Sequence, residues 1–168
     1  MKKLLALAGS MFLLTGCFTK PHAQLSSRID QLSAESKQVI HLELDGVVHG
    51  MTIEKGEFGA EIHADTPGTY LVTYSPQIAL VDEKKRGCFI TWLSINGKDV
   101  EDSGVKHCFA PSEETTAVLV GQWAGNLESG DDLQVMFSGF NTKTKFYARD
   151  GGRRQVNIPS VLLTVVQL

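Results

Sequence analysis

The sequence predicts an all-β domain, an antiparallel jelly-roll sandwich, preceded by one short N-terminal helix. Three observations lead there. Residues 40–168 contain many short runs in which apolar and polar side chains alternate, turn signals separate those runs, and no second helical period occurs.

The strands are taken in order. Ile40, Leu42 and Leu44 alternate with polar residues, Asp45-Gly46 offers a two-residue hairpin turn, and residues 47–53 resume as a second short strand. Further strands are predicted over 59–63, 69–75, 88–95, 115–121, 132–138, 143–149 and 160–167. Between them lie Pro67-Gly68, Asn96-Gly97, Ser129-Gly130-Asp131 and Asp150-Gly151-Gly152, short stretches that enter turns at low conformational cost. About 130 residues suffice for one sandwich core and leave no room for a second.

The helix is predicted over residues 25–39. Leu25, Ile29, Leu32 and Val39 stand at spacings of four, three and seven, with Ser36 as the one polar member of the seam. A helix of about 15 residues is marginal in water, so its narrow apolar stripe needs a partner, either further copies of itself or the domain that follows. The stretch Ile29-Asp30-Gln31-Leu32-Ser33 resembles the opening of the murein lipoprotein of enteric outer membranes, a three-stranded coiled coil. That resemblance implies a trimeric neck.

At the start of the chain Lys2 and Lys3 precede an apolar run over residues 4–14, broken only by Gly9 and Ser10, and then Leu14-Thr15-Gly16-Cys17. The pattern reads as a secretion signal whose apolar run is too short to span a bilayer. Its last four residues resemble the bacterial lipobox. The resemblance implies removal of residues 1–16 after Gly16, lipid on Cys17, and residues 17–24 as a tether. Phe18 stands where many inner-membrane lipoproteins carry aspartate, so an outer-membrane position is implied for a Gram-negative envelope. More than one acyl chain gives stable anchoring.

No other stretch approaches the roughly 20 apolar residues of a membrane-spanning helix. Loss of Lys2 and Lys3 takes the formal net charge from −3 to −5, which gives no basis for nucleic-acid binding. Lys84-Lys85-Arg86 and Arg153-Arg154 lie beside acids or glycines and read as solvated loops. With Cys17 lipidated in an oxidising compartment, Cys88 and Cys108 remain as an even pair flanking a predicted hairpin, and a disulfide between them is expected. The alternative is two unpaired buried thiols. A zinc site at these cysteines is not expected, because only His107 lies nearby.

Three stretches fall in the order seen in the globular heads of the tumour necrosis factor and complement superfamily. Pro67-Gly68-Thr69-Tyr70-Leu71-Val72-Thr73-Tyr74 is similar to its turn-then-strand element, with Tyr70, Val72 and Tyr74 on one face. Leu93-Ser94-Ile95-Asn96-Gly97-Lys98 looks like its strand and asparagine-glycine turn. Leu127-Glu128-Ser129-Gly130-Asp131-Asp132-Leu133-Gln134-Val135 is similar to the element before a central strand, and a closing apolar strand, Val161 to Val166, follows. The resemblance covers about two thirds of the chain and implies jelly-roll heads that pack as trimers. There is no collagen-like repeat, and residues 40–57 have no clear counterpart in the family.

Catalytic machinery is not expected. There is no nucleophile elbow and no H-E-x-x-H, the glycine pair Gly151-Gly152 precedes arginines and not a helix, and His22, His41, His49, His63 and His107 are scattered singly. A hairpin at Asp45-Gly46 would set His49 against Leu42 and His41 against Gly50, so no metal centre is expected, and no cofactor. Trp92 and Trp123 are assigned to core packing. The expectation is a lipid-anchored, homotrimeric recognition module of the cell envelope with a protein or glycan ligand. A monomeric carbohydrate-binding sandwich and a purely structural envelope lipoprotein remain as alternatives.

Overall fold

Along residues 68–80, side chains alternate between the two faces of one long strand, with Tyr70, Val72, Tyr74 and Ile78 buried and Leu71, Thr73 and Ser75 turned outward. The sandwich is built on this strand. The computed structural model describes residues 19–43, 46–56, 59–82, 86–110, 115–140, 144–149 and 157–168. In chain order its strands are β1 (His22–Ser27), β2 (Gln31–Leu32), β3 (Gln38–Val39), β4 (Val48–His49), β5 (Met51–Gly56), β6 (Gly59–Ala64), β7 (Gly68–Leu80), β8 (Gly87–Ile95), β9 (Lys98–Asp99), β10 (Val105–Phe109), β11 (Thr116–Val118), β12 (Gly121–Leu127), β13 (Asp132–Phe140), β14 (Thr144–Phe146) and β15 (Val161–Gln167).

The strands form two antiparallel sheets. The first runs β2-β14-β7-β15-β1-β4, with β11 and β12 on the other side of β7. The second runs β10-β8-β13-β6-β5, with β3 against β13 and β9 against β8. The pairing is nested: β1 with β15, β6 with β13, β7 with β12 and β8 with β10, so early strands meet late ones and central strands meet each other.

Between the sheets lies one core. Phe89, Phe137 and Phe146 meet with ring centroids 4.6–5.9 Å apart, a spacing at which edge-to-face pairs add to area burial. Tyr70, Ile62, Leu133 and Leu163 are among the side chains that fill the rest. The Tyr74 hydroxyl reaches across from the first sheet and donates to the carbonyl of Ser103. Its ring lies against Gly121 so closely that a Cβ there would sit 2.0 Å from the ring, and only glycine fits. Burial pushes the Tyr74 phenol up to about 12.

The predicted turns hold where the residues dictate the backbone. Ile95 pairs with Lys98 across a two-residue turn in which Asn96 and Gly97 have φ of 51° and 74°, the left-handed pair that Asn-Gly supplies most cheaply.

Two predicted elements are corrected. The helix over residues 25–39 is not seen, and among the described residues there is no helix. Those residues supply the end of β1, then β2 and β3. Ala23 and Leu25 face the core and Gln24 and Ser26 face out, a period of two that pairing with β15 selects over the heptad spacing. Ser27 and Ser33 are buried, and their side chains or backbone bond Ser160 and Thr144. Such serines compete with helical backbone bonding. Ile29 and Leu32, taken as seam residues, are 42% and 54% exposed. The three-stranded neck implied by the murein lipoprotein resemblance therefore falls.

The second correction concerns residues 40–53. Residues 44–45 lie outside the described residues, but both flanks bond β1 and not each other: Glu43 bridges Ser26, and Val48 and His49 pair with Ala23 and His22. His49 thus faces His22, not Leu42.

Phe137→Ala is expected to destabilise the domain by about 3–5 kcal/mol, because its ring is buried between two others and the cavity cannot collapse; urea unfolding followed by tryptophan fluorescence measures it. Reduction of the disulfide described below, or the double change Cys88→Ala and Cys108→Ala, should lower stability by about 3 kcal/mol for a separation of 20 residues.

Candidate functional site

The outer face of the second sheet carries a group of potential ligands. On β6, Ala60, Ile62 and Ala64 point into the core, which turns Glu61 and His63 outward together. On β13, Leu133, Val135 and Phe137 are buried, and Asp132 and Gln134 face the same way as Glu61 and His63. His63 and Asp132 are direct cross-strand partners, and His63 is flanked on its other side by Thr52 of β5. One donor atom from each of Glu61, His63 and Asp132 lies within 4.8 Å of the others, and all three residues are half-buried.

Their polar atoms are poorly matched. His63 Nε2 and Asp132 Oδ1 are both buried and have no hydrogen-bond partner. Glu54 Oε2 is 4.0 Å from His63 Nε2, beyond hydrogen-bond reach, and its side chain is 67% exposed. Gln134 Nε2 donates to Glu61 Oε1 at 3.4 Å. Burial raises the Asp132 carboxyl above its usual range, the nearby Glu61 charge raises it further, and His63 opposes both. Among the described residues no lysine or arginine pairs with Glu61 or Asp132.

The backbone at this point is braced. Asp131 accepts from Asn96 Nδ2 at 2.7 Å and from the Glu128 amide at 2.8 Å, while Asn96 Oδ1 accepts from the Asp132 amide at 3.0 Å. Gly130, with φ of 87°, donates to the Ala64 carbonyl. Two of the turns legible in the sequence therefore fix where β13 starts and aim Asp132 beside His63.

The residues expected to carry chemistry are placed as follows. Cys88 and Cys108 are bonded, directly opposite one another on β8 and the edge strand β10. Gly16 and Cys17 lie outside the described residues, as do Lys84, Lys85, Arg153 and Arg154; Arg86 is exposed. His22 and His49 sit 5.7 Å apart by ring centroid, His49 Nε2 meets the Thr19 hydroxyl at 2.7 Å and His22 Nδ1 meets the Lys20 carbonyl at 2.9 Å. His41 is exposed, and His107 packs edge-on against Phe109.

Trp123 packs against the core as expected. Trp92 does not: it lies half-buried on the outer face of β8, because Phe89, Thr91 and Leu93 take the inner positions. Its Nε1 donates to Asp99 Oδ1 at 2.8 Å and the Lys37 ammonium lies 5.9 Å from its ring. Lys37 pairs with Asp99, and that contact, followed by the indole bond, holds the Asp99 carboxyl below its usual range. On the first sheet Lys145 pairs with Asp30 at 2.6 Å; burial works against the Asp30 charge, but Lys145 and the Ala148 amide together keep its carboxyl low.

The Glu61–His63–Asp132 group was missed at the level of sequence. The signal was present: Glu-x-His on a strand puts both side chains on one face. What spacing does not reveal is that β13 starts opposite His63.

The chain matches no protein-family model and no curated protein. Among the described residues no helix is long and apolar enough to cross a membrane.

The raised carboxyl of Asp132 gives a pH test. The folded chain takes up this proton more readily than the unfolded chain, so ionised Asp132 weakens the fold at neutral pH, and the penalty is relieved as pH falls through the raised value. In chelator-treated protein Asp132→Asn is expected to raise Tm at pH 7, with the gain vanishing below the ordinary value of 3.8, where the native side chain is also neutral. Calorimetry at the two pH values checks the difference.

Proposed function

We propose that the protein is a lipid-anchored binding module of the bacterial cell envelope, a homotrimer of jelly-roll heads of the tumour necrosis factor and complement type, and not an enzyme. The observation that carries this reading is the nested pairing, β1 with β15, β6 with β13, β7 with β12 and β8 with β10. A hairpin folded over twice into two facing sheets pairs its strands in this order, which supports a jelly roll built from Greek keys.

The trimer draws support from the outer face of the first sheet. The residues that β1, β15, β7 and β12 turn outward, from His22, Gln24 and Ser26 through Leu162, Thr164 and Val166 to Leu71, Thr73, Gln122 and Ala124, include no lysine, arginine, aspartate or glutamate. Exposed Val118 and Val120 project from the β11–β12 edge beside it. A four-strand stretch of sheet face without these charges is suited to contact with a copy of itself under cyclic symmetry. The tether is argued from Leu14-Thr15-Gly16-Cys17 and from β1 starting at His22, five residues past the proposed lipid. With this short tether, the β1–β4 end of the sandwich faces the membrane and the opposite end is offered to ligand.

Trp92 favours a second reading. A half-buried indole on a sheet face beside Lys37 and Asp99 is the kind of platform on which a sugar ring stacks. A glycan array run with wild-type and Trp92→Ala distinguishes it from protein recognition.

The chain lacking residues 1–16 and carrying Cys17→Ser is expected to sediment at three times the single-chain mass. Leu71→Lys with Thr164→Lys should reduce it to one chain with an unchanged circular dichroism spectrum. A wild-type mass of one chain at micromolar concentration removes the trimer. In cells, Cys17→Ser should move the protein out of the membrane fraction.

A further inference from the structure

We propose that Glu61, His63 and Asp132 form a binding site for one divalent transition-type cation of the zinc class, with Glu54 as the exposed side chain that completes it. The inference is independent of the envelope reading, since it rests on the outer face of β5, β6 and β13 alone.

The argument starts from register. His63 and Asp132 are directly paired across β6 and β13, and Glu61 stands two residues from His63 on the same face, so three different strand positions converge without any loop having to order. One imidazole with carboxylates is a donor set that zinc and its first-row neighbours accept, whereas calcium and magnesium prefer oxygen throughout. Donor atoms around a tetrahedral zinc at about 2.0–2.2 Å lie roughly 3.3–3.6 Å apart, so a spread of up to 4.8 Å closes by side-chain rotations that bring the atoms together by about 1 Å.

The second observation is the pair of orphaned atoms. His63 Nε2 and Asp132 Oδ1 are cut off from solvent and bonded to nothing, although buried polar atoms in folded proteins are almost always matched. An unmatched imidazole nitrogen and an unmatched carboxylate oxygen on adjacent strands are the arrangement a cation would satisfy at both ends. Charge points the same way: Glu54, Glu61 and Asp132 converge on one histidine, and no lysine or arginine among the described residues balances them. Elsewhere on the surface, Asp30 and Asp99 each have a lysine. Glu54 approaches His63 from β5 and is 67% exposed, free to swing onto a bound ion.

The nearest competitor is the pair His22 and His49, which could take zinc with two imidazoles. The test separates the two. The full chain, purified in mild detergent and treated with chelator, is titrated with ZnCl2 and with CaCl2 by calorimetry. One saturable zinc site per chain, a rise in Tm with zinc, and much weaker calcium binding are expected. His63→Gln and Asp132→Asn should each weaken zinc binding by at least about tenfold, while the double change His22→Gln and His49→Gln leaves it unchanged. X-ray absorption at the zinc edge of the wild-type protein decides the matter without variants: one imidazole among oxygen donors supports the site, and two imidazoles overturn it. Absence of saturable zinc binding, calcium bound as tightly as zinc, or zinc binding that survives His63→Gln overturns it as well.

Discussion

The architecture depends on the ladder between β1 and β15. Six consecutive residues, His22 to Ser27, pair with Val166 back to Val161, and the same β15 lies along β7 on its other side. This contact joins parts of the chain separated by more than a hundred residues, and the loop-closure entropy it demands is offset by burying Ala23, Leu25, Val161, Leu163 and Val165 in one layer. Once β1 is held there, Glu43 and residues 47–49 have an edge to bond, β2 and β3 fall where β14 and β13 can receive them, and the second sheet has a floor on which Leu93, Leu133 and Ile62 pack.

What could be read from the sequence follows from this. Where local chemistry dictates the backbone, the reading and the fold agree: Asn96-Gly97 makes its two-residue turn, Gly130 takes a left-handed φ before β13, and Tyr70, Val72 and Tyr74 share the buried face. The antiparallel sandwich follows from many such local agreements. The failures share a different cause. Residues 25–39 carry apolar spacings compatible with a helix seam and also with a strand, and the choice is made by β15, which local spacing does not encode. Asp45-Gly46 is a good hairpin signal overruled by β1, which both of its flanks bond, and with it went the expected partners of His41 and His49. Trp92 shows a milder form: an apolar run does not say which of its members will face in. The Glu61–His63–Asp132 group needed two strands far apart in sequence to be set in register before it existed at all.

The two outer faces of the sandwich differ in chemistry. On the first sheet, the rows of β1, β15, β7 and β12 carry hydroxyls, amides, aliphatic groups and the His22 imidazole. On the second, Glu54, Glu61, His63 and Asp132 stand at one end, and Trp92, Lys37 and Asp99 are bound together nearby. Association with like copies and recognition of something else therefore need not compete for the same surface, which is the division of labour the proposed assembly requires.

The disulfide has a consequence for crowding. It pins β10, the outermost strand of its sheet, at Cys108, two residues beyond Lys106, whose side chain is exposed. A neighbouring chain adding a strand to that border would have to approach an ammonium group along a rim that the covalent bond keeps from peeling open. The proposed membrane tether would crowd many copies into a two-dimensional layer, the condition under which a guarded rim counts most against neighbours zipping edge to edge.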